Sequence, residues 1–129
     1  MYDVRKGEQR QFMRVKCSIS AEFQLPAQQD FWFSAEVLDL SIIGVRLRFK
    51  PRQRGRVLVD EDIQWQDTLF RFSSDKETFI LTGHFLMVYL RENEHFTAGV
   101  EFTDVTPEQQ FRLVSLYAEY RREMARAAR

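Results

Sequence analysis

The sequence predicts a mainly β domain, an antiparallel barrel or strongly curled sheet of about six strands with one C-terminal helix packed on it. Several segments alternate apolar and polar residues, as half-buried strands do, and residues typical of turns separate them. Helical periodicity occurs only in the C-terminal segment. A chain of 129 residues, 44% hydrophobic and 14% aromatic, is long enough for one domain with a single core.

The first predicted strand covers residues 15–25, in which apolar and polar side chains alternate without interruption. Its apolar positions are Val15, Cys17, Ile19, Ala21, Phe23 and Leu25. Residues 1–13 are mostly polar, lack periodicity and carry Arg5 and Lys6. We therefore expect a flexible basic N-terminal arm over residues 1–13, followed by a domain of residues 14–129.

The second and third strands flank a short turn, DLSIIG, at residues 39–44. Turn-type residues 26–30 precede the second strand, whose apolar side chains are Phe31, Phe33, Ala35 and Val37. In the third strand Val45, Leu47 and Phe49 alternate with Arg46, Arg48 and Lys50. The turn is expected to expose Asp39 and Ser41 at one end of the sheet. Gly44 there permits a backbone conformation or a close approach that a β-carbon would obstruct.

Residues 51–67 give no assignable pattern, because Pro51 and Gly55 interrupt the third strand and the following residues mix apolar and acidic types. Later strands are predicted at 69–72, 78–90 and 96–103. The 78–90 segment is apolar on both faces, which predicts the core on one side and a covering element on the other.

The covering element is a C-terminal helix over about residues 107–127. Thr106 is a suitable N-cap, Pro107 suits the first helical position, and Gln109 completes a capping box. Apolar residues at helical spacing predict its buried stripe: Leu113, Tyr117, Tyr120 and Met124, widened by Phe111, Val114 and Leu116.

Charge is distributed unevenly along a chain whose formal net charge is zero. Residues 1–56 carry 11 basic and 6 acidic side chains, whereas residues 57–104 carry 3 and 10. An anionic partner is therefore expected at the first third of the chain. One cysteine excludes an internal disulfide and suits a reducing compartment. No signal peptide and no apolar run of membrane-spanning length is apparent, so a cytoplasmic protein without membrane insertion is expected.

Two short stretches combine the side chains that a guanine nucleotide requires. Arg10 and Arg14 precede the first strand and offer planar forked donors for phosphate oxygens or for the O6/N7 edge of guanine. The carboxylate of Asp39 can accept hydrogen bonds from the N1–H and N2–H₂ edge, and the hydroxyl of Ser41 can donate or accept. Together they predict one site for a doubly charged, guanine-containing ligand.

The RxxxR motif before the first strand and the [DN]xSxxG turn after the second resemble the PilZ domain family. The order of strands, the run GVEFTDVTPEQ at 99–109 and the terminal helix extend this resemblance over nearly the whole chain. It implies a six-stranded antiparallel split barrel and a non-enzymatic receptor in bacterial second-messenger signalling. The implied ligand is cyclic di-GMP, bound by Arg10, Arg14, Asp39, Ser41 and Gly44. An unidentified downstream protein would sense the bound state through ordering of the N-terminal arm and movement of the C-terminal helix.

This chain departs from the family pattern at Gln9, where many members have a further arginine. The number of ligand molecules bound is therefore open. Arg5 and Lys6 are candidates to substitute from the arm, and solvated arm residues are the equal alternative for both. Arg46 and Arg48 are additional candidates, because their alternation places both on one face of the third strand. A solvated outer face is the plainer interpretation of these two residues.

Other functions find less support in the sequence. A degenerate adaptor that binds only protein is the alternative within the family, and a small nucleic-acid-binding barrel that uses Arg46 and Arg48 is the alternative outside it. The latter lacks a matching ladder of exposed aromatic residues. His84 and His95 show no metal-ligand spacing, and Asp60, Glu61 and Asp62 are expected to stay hydrated. No catalytic residue, metal or cofactor is predicted.

Overall fold

The computed structural model describes residues 19–74, 77–89 and 94–127. Within them, six antiparallel strands form a barrel: β1 (Ser20–Gln24), β2 (Phe33–Leu40), β3 (Gly44–Phe49), β6 (Thr68–Ser73), β7 (Thr78–Tyr89) and β8 (Phe96–Thr103). The barrel closes in the order β1–β2–β3–β8–β7–β6. The predicted fold class is confirmed. The barrel is closed rather than an open curled sheet, because β1 pairs with both β2 and β6.

Residues 51–67, which the sequence left unassigned, form small elements outside the barrel. A hairpin consists of β4 (Arg52–Gln53) and β5 (Arg56–Val57), and one helical turn, α1 (Asp60–Ile63), follows it. Arg54 and Gly55 at the hairpin tip have φ angles of 47° and 83°. Two consecutive residues with positive φ are the geometry that tight hairpin turns favour.

The hairpin is fixed to the start of β2 by hydrogen bonds and cation–π contacts. The Gln53 amide accepts a hydrogen bond from the Ser34 backbone N–H at 2.7 Å and donates one to the Ser34 carbonyl at 2.8 Å. The guanidinium groups of Arg54 and Arg56 each lie 4.6 Å from the centre of the Phe31 ring. These arginines therefore hold the hairpin against the barrel.

Phenylalanine side chains fill the barrel interior. The ring of Phe23 lies within 5.0 to 5.3 Å of the rings of Phe33, Phe49 and Phe85, and all four side chains are buried. Offset and edge-to-face contacts of this kind stabilise an aromatic core beyond the area that they bury. The barrel is thus a packed core, and any ligand site must lie on its outside.

The C-terminal helix α2 (Pro107–Ala127) begins with the predicted capping box. The Gln109 N–H donates to Thr106 Oγ1 at 3.2 Å, and the Thr106 N–H donates to Gln109 Oε1 at 2.9 Å. Gln109 Nε2 also donates to the carbonyl of Ile80 at 2.8 Å, which ties the start of the helix to β7.

The helix buries a narrower stripe than the sequence predicts. Its buried side chains in the common core are Leu113, Leu116, Tyr117 and Tyr120. The expectation was wrong for Phe111, Val114 and Met124, which are 73%, 44% and 39% exposed. On β7, Ile80 and Met87 are also exposed, so the helix leaves part of the outer face of this strand open.

Candidate functional site

The turn between β2 and β3 is held together by the hydroxyl group of Ser41. Ser41 Oγ donates to the Gly44 carbonyl at 3.1 Å and accepts from the backbone N–H groups of Ile43 and Gly44 at 3.3 and 3.2 Å. The Ser41 N–H also donates to the Gly44 carbonyl, at 2.9 Å. With 3% exposure, Ser41 is buried in the turn and not exposed as the sequence predicted.

Gly44 is required because β3 approaches the neighbouring strand closely at this point. A β-carbon on Gly44 would lie 2.1 Å from the carbonyl oxygen of Val100 in β8, far inside a van der Waals contact. The Phe102 N–H donates to the carbonyl of Ile43 at 3.0 Å, which fixes the turn onto β8. Of the two reasons that the sequence offered for a glycine, the structure therefore supports the close approach.

Asp39 owes its orientation to a β-bulge. The register between β2 and β3 shifts between Val37 and Asp39, so Val37 pairs with Leu47 whereas Asp39 pairs with Arg46. Because side chains alternate along a strand, this extra residue turns Asp39 away from the interior that Val37 faces and brings it beside Arg46. Leu40, the next residue, is buried in the core.

Arg46 covers the carboxylate of Asp39. Arg46 Nη2 lies 2.7 Å from Asp39 Oδ2, and the side chains are 43% and 10% exposed respectively. The expected exposure of Asp39 is therefore wrong, since the residue is buried at the barrel surface beneath a half-exposed arginine. Tight β2–β3 pairing across a short turn is a sequence signal that could have indicated this ion pair.

A second ion pair lies further along the same two strands. Arg48 donates to Glu36 Oε2 from Nε at 3.2 Å and from Nη2 at 2.6 Å. Both side chains are about half exposed. Arg46 and Arg48 thus share the outer face of β3, as predicted, and each faces a carboxylate of β2.

The remaining candidate residues of the N-terminal stretch, Arg5, Lys6, Gln9, Arg10 and Arg14, lie outside the described residues. The attachment point of this stretch is nevertheless defined. β1 is antiparallel to β2, and Ser20 at its start pairs with Glu36. β1 therefore begins towards the end of the barrel at which Asp39 and the DLSIIG turn lie, and the N-terminal stretch joins the barrel at that end.

His84, one of the titratable residues noted in the sequence, lies beside a carboxylate. His84 Nε2 hydrogen-bonds to Asp67 Oδ1, next to the segment that enters β6. Within residues 19–74, 77–89 and 94–127, no group of three or more histidine, cysteine, aspartate or glutamate side chains could hold a metal ion. Among the same residues, no helix has the length and apolar character needed to span a membrane.

Comparison with solved structures identifies the same barrel in bacterial proteins. The PilZ domain of YcgR from Escherichia coli, solved with c-di-GMP, gives a TM-score of 0.68 at 12% identity and covers 93% of this chain and 97% of that one. MotI/DgrA, an inhibitor of motility from Bacillus subtilis, gives 0.60 at 13% identity. PlzA from Borreliella burgdorferi, solved in complex with c-di-GMP, gives 0.52 at 16% identity.

The alignments with MotI/DgrA and PlzA cover 90% and 86% of this chain but only 52% and 53% of those proteins. This chain therefore corresponds to about half of each. At such low identities the likeness shows a shared fold.

Among curated protein sequences, none matches the chain significantly. The sequence model of the PilZ domain matches residues 8–119, which is most of the chain. The protein therefore belongs to the PilZ domain family.

Proposed function

We propose that this protein is a receptor for cyclic di-GMP that binds the nucleotide on the outside of the barrel, at the end where β2 turns into β3. The observation that carries the proposal is the Asp39–Arg46 pair, which a bulge and a glycine-dependent turn hold at the barrel surface. The family supports the ligand class, since the structures of YcgR and PlzA were solved with c-di-GMP.

In the proposed site the half-exposed guanidinium of Arg46 swings away from Asp39. The carboxylate then accepts hydrogen bonds from the N1–H and N2–H₂ edge of one guanine. Arg10 and Arg14 contact the phosphates or the O6/N7 edge, for which a planar guanidinium is better suited than an ammonium group. Arg14 is five residues before Ile19, the first described residue, so at most about 18 Å of chain separates them. That reach is compatible with a contact to a ligand beside Asp39.

Ser41 and Gly44 are assigned to the shape of the turn rather than to direct recognition. The Ser41 hydroxyl already makes hydrogen bonds to Ile43 and Gly44 and is buried. A guanine would compete with these bonds if it contacted the hydroxyl. We propose that Ser41 acts by fixing the backbone that presents Asp39.

Transmission of the signal is proposed to start at the N-terminal arm. β1 begins towards the end of the barrel that holds the site. A ligand bound by Arg10 and Arg14 would therefore fix the arm against the barrel. A partner protein that recognises this arrangement would sense the nucleotide, which is an order change of a kind used in many switches. In this proposal the protein acts as a signalling receptor and not as an enzyme.

The outer face of β3 favours this proposal over a nucleic-acid-binding barrel. Arg46 and Arg48, which the alternative requires, lie in ion pairs with Asp39 and Glu36. Guanidinium groups matched in this way attract a phosphate backbone less than an unmatched basic stripe does.

Isothermal titration with cyclic di-GMP tests the proposal, because β2 offers a matched pair of carboxylates. Asp39 and Glu36 each pair with an arginine of β3, but only Asp39 lies beside the turn. We expect Asp39→Ala to weaken binding at least about tenfold, or 1.4 kcal/mol. Glu36→Ala should retain nearly the parental affinity, and Arg14→Ala should lose binding as Asp39→Ala does.

Absence of binding to the parent protein would favour an adaptor that recognises only protein. Equal losses for Asp39→Ala and Glu36→Ala would place the ligand elsewhere, or reduce recognition to general charge attraction. Circular dichroism of each variant verifies that the barrel is intact before the affinities are compared.

A further inference from the structure

The helix α2 carries a second apolar stripe on the side turned away from the barrel. Phe111 and Val114 are 73% and 44% exposed, and Ala118 is partly buried. At 100° per residue these positions and Ala125 lie on one side, opposite the buried residues Leu113, Leu116, Tyr117 and Tyr120. The outer stripe is distinct from the proposed nucleotide site on β2 and β3.

The spacing of this outer stripe is that of a helix-pairing seam. Phe111, Val114, Ala118, Arg121 and Ala125 follow one another at intervals of three, four, three and four residues. This is the a/d pattern by which two helices interlock their side chains. A phenylalanine exposed to this degree on a regular helix, next to valine and alanine, favours an interaction surface.

We propose that the outer stripe of α2 binds the same stripe of a second copy of this protein, with the two helices antiparallel about a two-fold axis near Ser115. In this arrangement Val114 packs on Ala118 of the second copy, and the small alanine side chain allows the helices to approach closely. The two-fold axis repeats this contact, so Ala118 of the first copy also packs on Val114 of the second, as expected for a symmetric dimer.

Charge along the helix favours the antiparallel direction. Glu108 lies in the first turn and is exposed, whereas Arg121 and Arg122 lie in the C-terminal half, also exposed. Antiparallel pairing near Ser115 places Glu108 beside Arg122 of the second copy and Phe111 beside its Arg121. The first contact joins opposite charges, and the second sets a guanidinium against an aromatic ring. Parallel pairing would set Arg121 against Arg121 of the second copy.

The pairing surface is small, so the dimer is expected to be reversible. Two short helix faces with one aromatic residue each bury less than the roughly 1,600 Å² of a standard stable interface. The mass of the protein should therefore rise with concentration towards that of a dimer. A permanent dimer is not expected.

Sedimentation velocity of the whole chain over a wide concentration range tests the inference. The parent should show concentration-dependent dimerisation that Phe111→Ser abolishes. Arg122→Glu should also weaken it, because glutamate then faces Glu108, and Glu108→Arg combined with Arg122→Glu should restore it. Glu123→Arg changes a charge on α2 outside the stripe and should leave the association unchanged.

Single cysteines establish the direction of the helices. In a Cys17→Ser background, mixing the Val114→Cys and Ala118→Cys proteins under mild oxidation should give mainly the mixed disulfide. Predominant disulfides of each variant with itself would indicate parallel helices and contradict the proposal. A parent that stays monomeric at all concentrations, or a Phe111→Ser variant that associates as well as the parent, would overturn it.

Discussion

At the scale of single residues, Gly44 joins the turn to the barrel. Its Cα faces the carbonyl oxygen of Val100, and both groups belong to the backbone, so neither can rotate away. A methyl group at this position must move β3 from β8 or distort the turn. The shape of the DLSIIG turn and the stability of the barrel therefore both depend on the absence of a side chain at Gly44.

We expect Gly44→Ala to destabilise the protein by about 1–3 kcal/mol or more, the range for a side chain forced into a packed site. Gly99→Ala is the matched control, because a β-carbon there meets nothing within 4 Å. Urea unfolding of both variants measures the difference. If the Gly44→Ala and Gly99→Ala variants were equally stable, β3 and β8 could move apart at Gly44 with little loss of free energy of unfolding, and the prediction would be wrong.

Asp30 provides a prediction about pH. Its hydrogen bonds with Arg56 hold the pKa of the Asp30 carboxyl below its ordinary value of 3.8. A group whose pKa is lower in the folded protein contributes stability above the ordinary pKa and loses that contribution as pH falls through the lowered value. Asp30→Asn should therefore be less stable than the parent at pH 7, and the gap should shrink at pH 3.

Urea unfolding at both pH values measures this gap. The effect is expected to be small, since Asp30 is largely exposed and the pair is screened by solvent. A gap that widens on acidification would have the wrong sign for this pair and would contradict the assignment.

Asp39 shows what the sequence could not predict at this scale. The motif identified the residue, but strict alternation along β2 would point it inwards together with Phe33, Ala35 and Val37. The bulge before Asp39 reverses that direction and creates the pair with Arg46. Bulges depend on how two strands fit together, so the alternation within one strand does not reveal them.

At the scale of elements, β1 is a strand of five residues whose anchoring depends on Phe23. The side chain is fully buried and contacts rings from β2, β3 and β7. β1 also closes the barrel, since it bridges β2 and β6. Loss of this ring should therefore weaken the closure of the barrel.

Phe23→Ala is expected to cost about 3–5 kcal/mol, as buried phenylalanines generally do. Phe111→Ala removes the same group from an exposed helix position and should change the stability by less than about 0.5 kcal/mol. Chemical denaturation at low protein concentration, where self-association does not contribute, compares the two. Similar losses would mean that Phe111 is packed in solution.

The sequence predicted those elements in which hydrophobic residues recur regularly over several turns or strand positions. It did not predict elements that are too short for such a pattern. The capping box and the buried residues Leu113, Tyr117 and Tyr120 of α2 agree with the sequence pattern. The β4–β5 hairpin has strands of two residues, too short for any alternation to appear. Phe111 and Val114 were assigned to the core because hydrophobicity alone does not distinguish a stripe that faces the barrel from one that faces outwards.

At the scale of the whole molecule, the alternation of apolar and polar residues could not predict that the barrel closes. Alternation predicted about six strands but not whether β1 meets β6, which are separated by more than 40 residues. The resemblance carried by the two motifs supplied a closed barrel, and the pairing of β1 with β6 confirms it. Local patterns specify strands, whereas the way they close depends on contacts distant in sequence.

Closure also couples the proposed site to global stability, because unfolding of the barrel separates β2 from β3 and destroys the turn. A ligand that binds only the folded protein should stabilise it by about 2.7 kcal/mol at a concentration 100 times its dissociation constant. Cyclic di-GMP should therefore raise the melting temperature by several degrees. Asp39→Ala should lose about half of this rise or more, because a tenfold weaker affinity leaves about 1.4 kcal/mol at the same concentration. Glu36→Ala and the destabilised Phe23→Ala should keep it.

Differential scanning fluorimetry with a concentration series of nucleotide measures these shifts. Cyclic di-AMP serves as the control, since adenine lacks the N1–H and N2–H₂ donors that a carboxylate accepts. An equal shift with both nucleotides would exclude recognition of guanine by Asp39 and leave only attraction of the phosphates. A shift with cyclic di-GMP alone that persists in Phe23→Ala would show that recognition depends on the local geometry of the β2–β3 turn and not on the overall stability of the barrel.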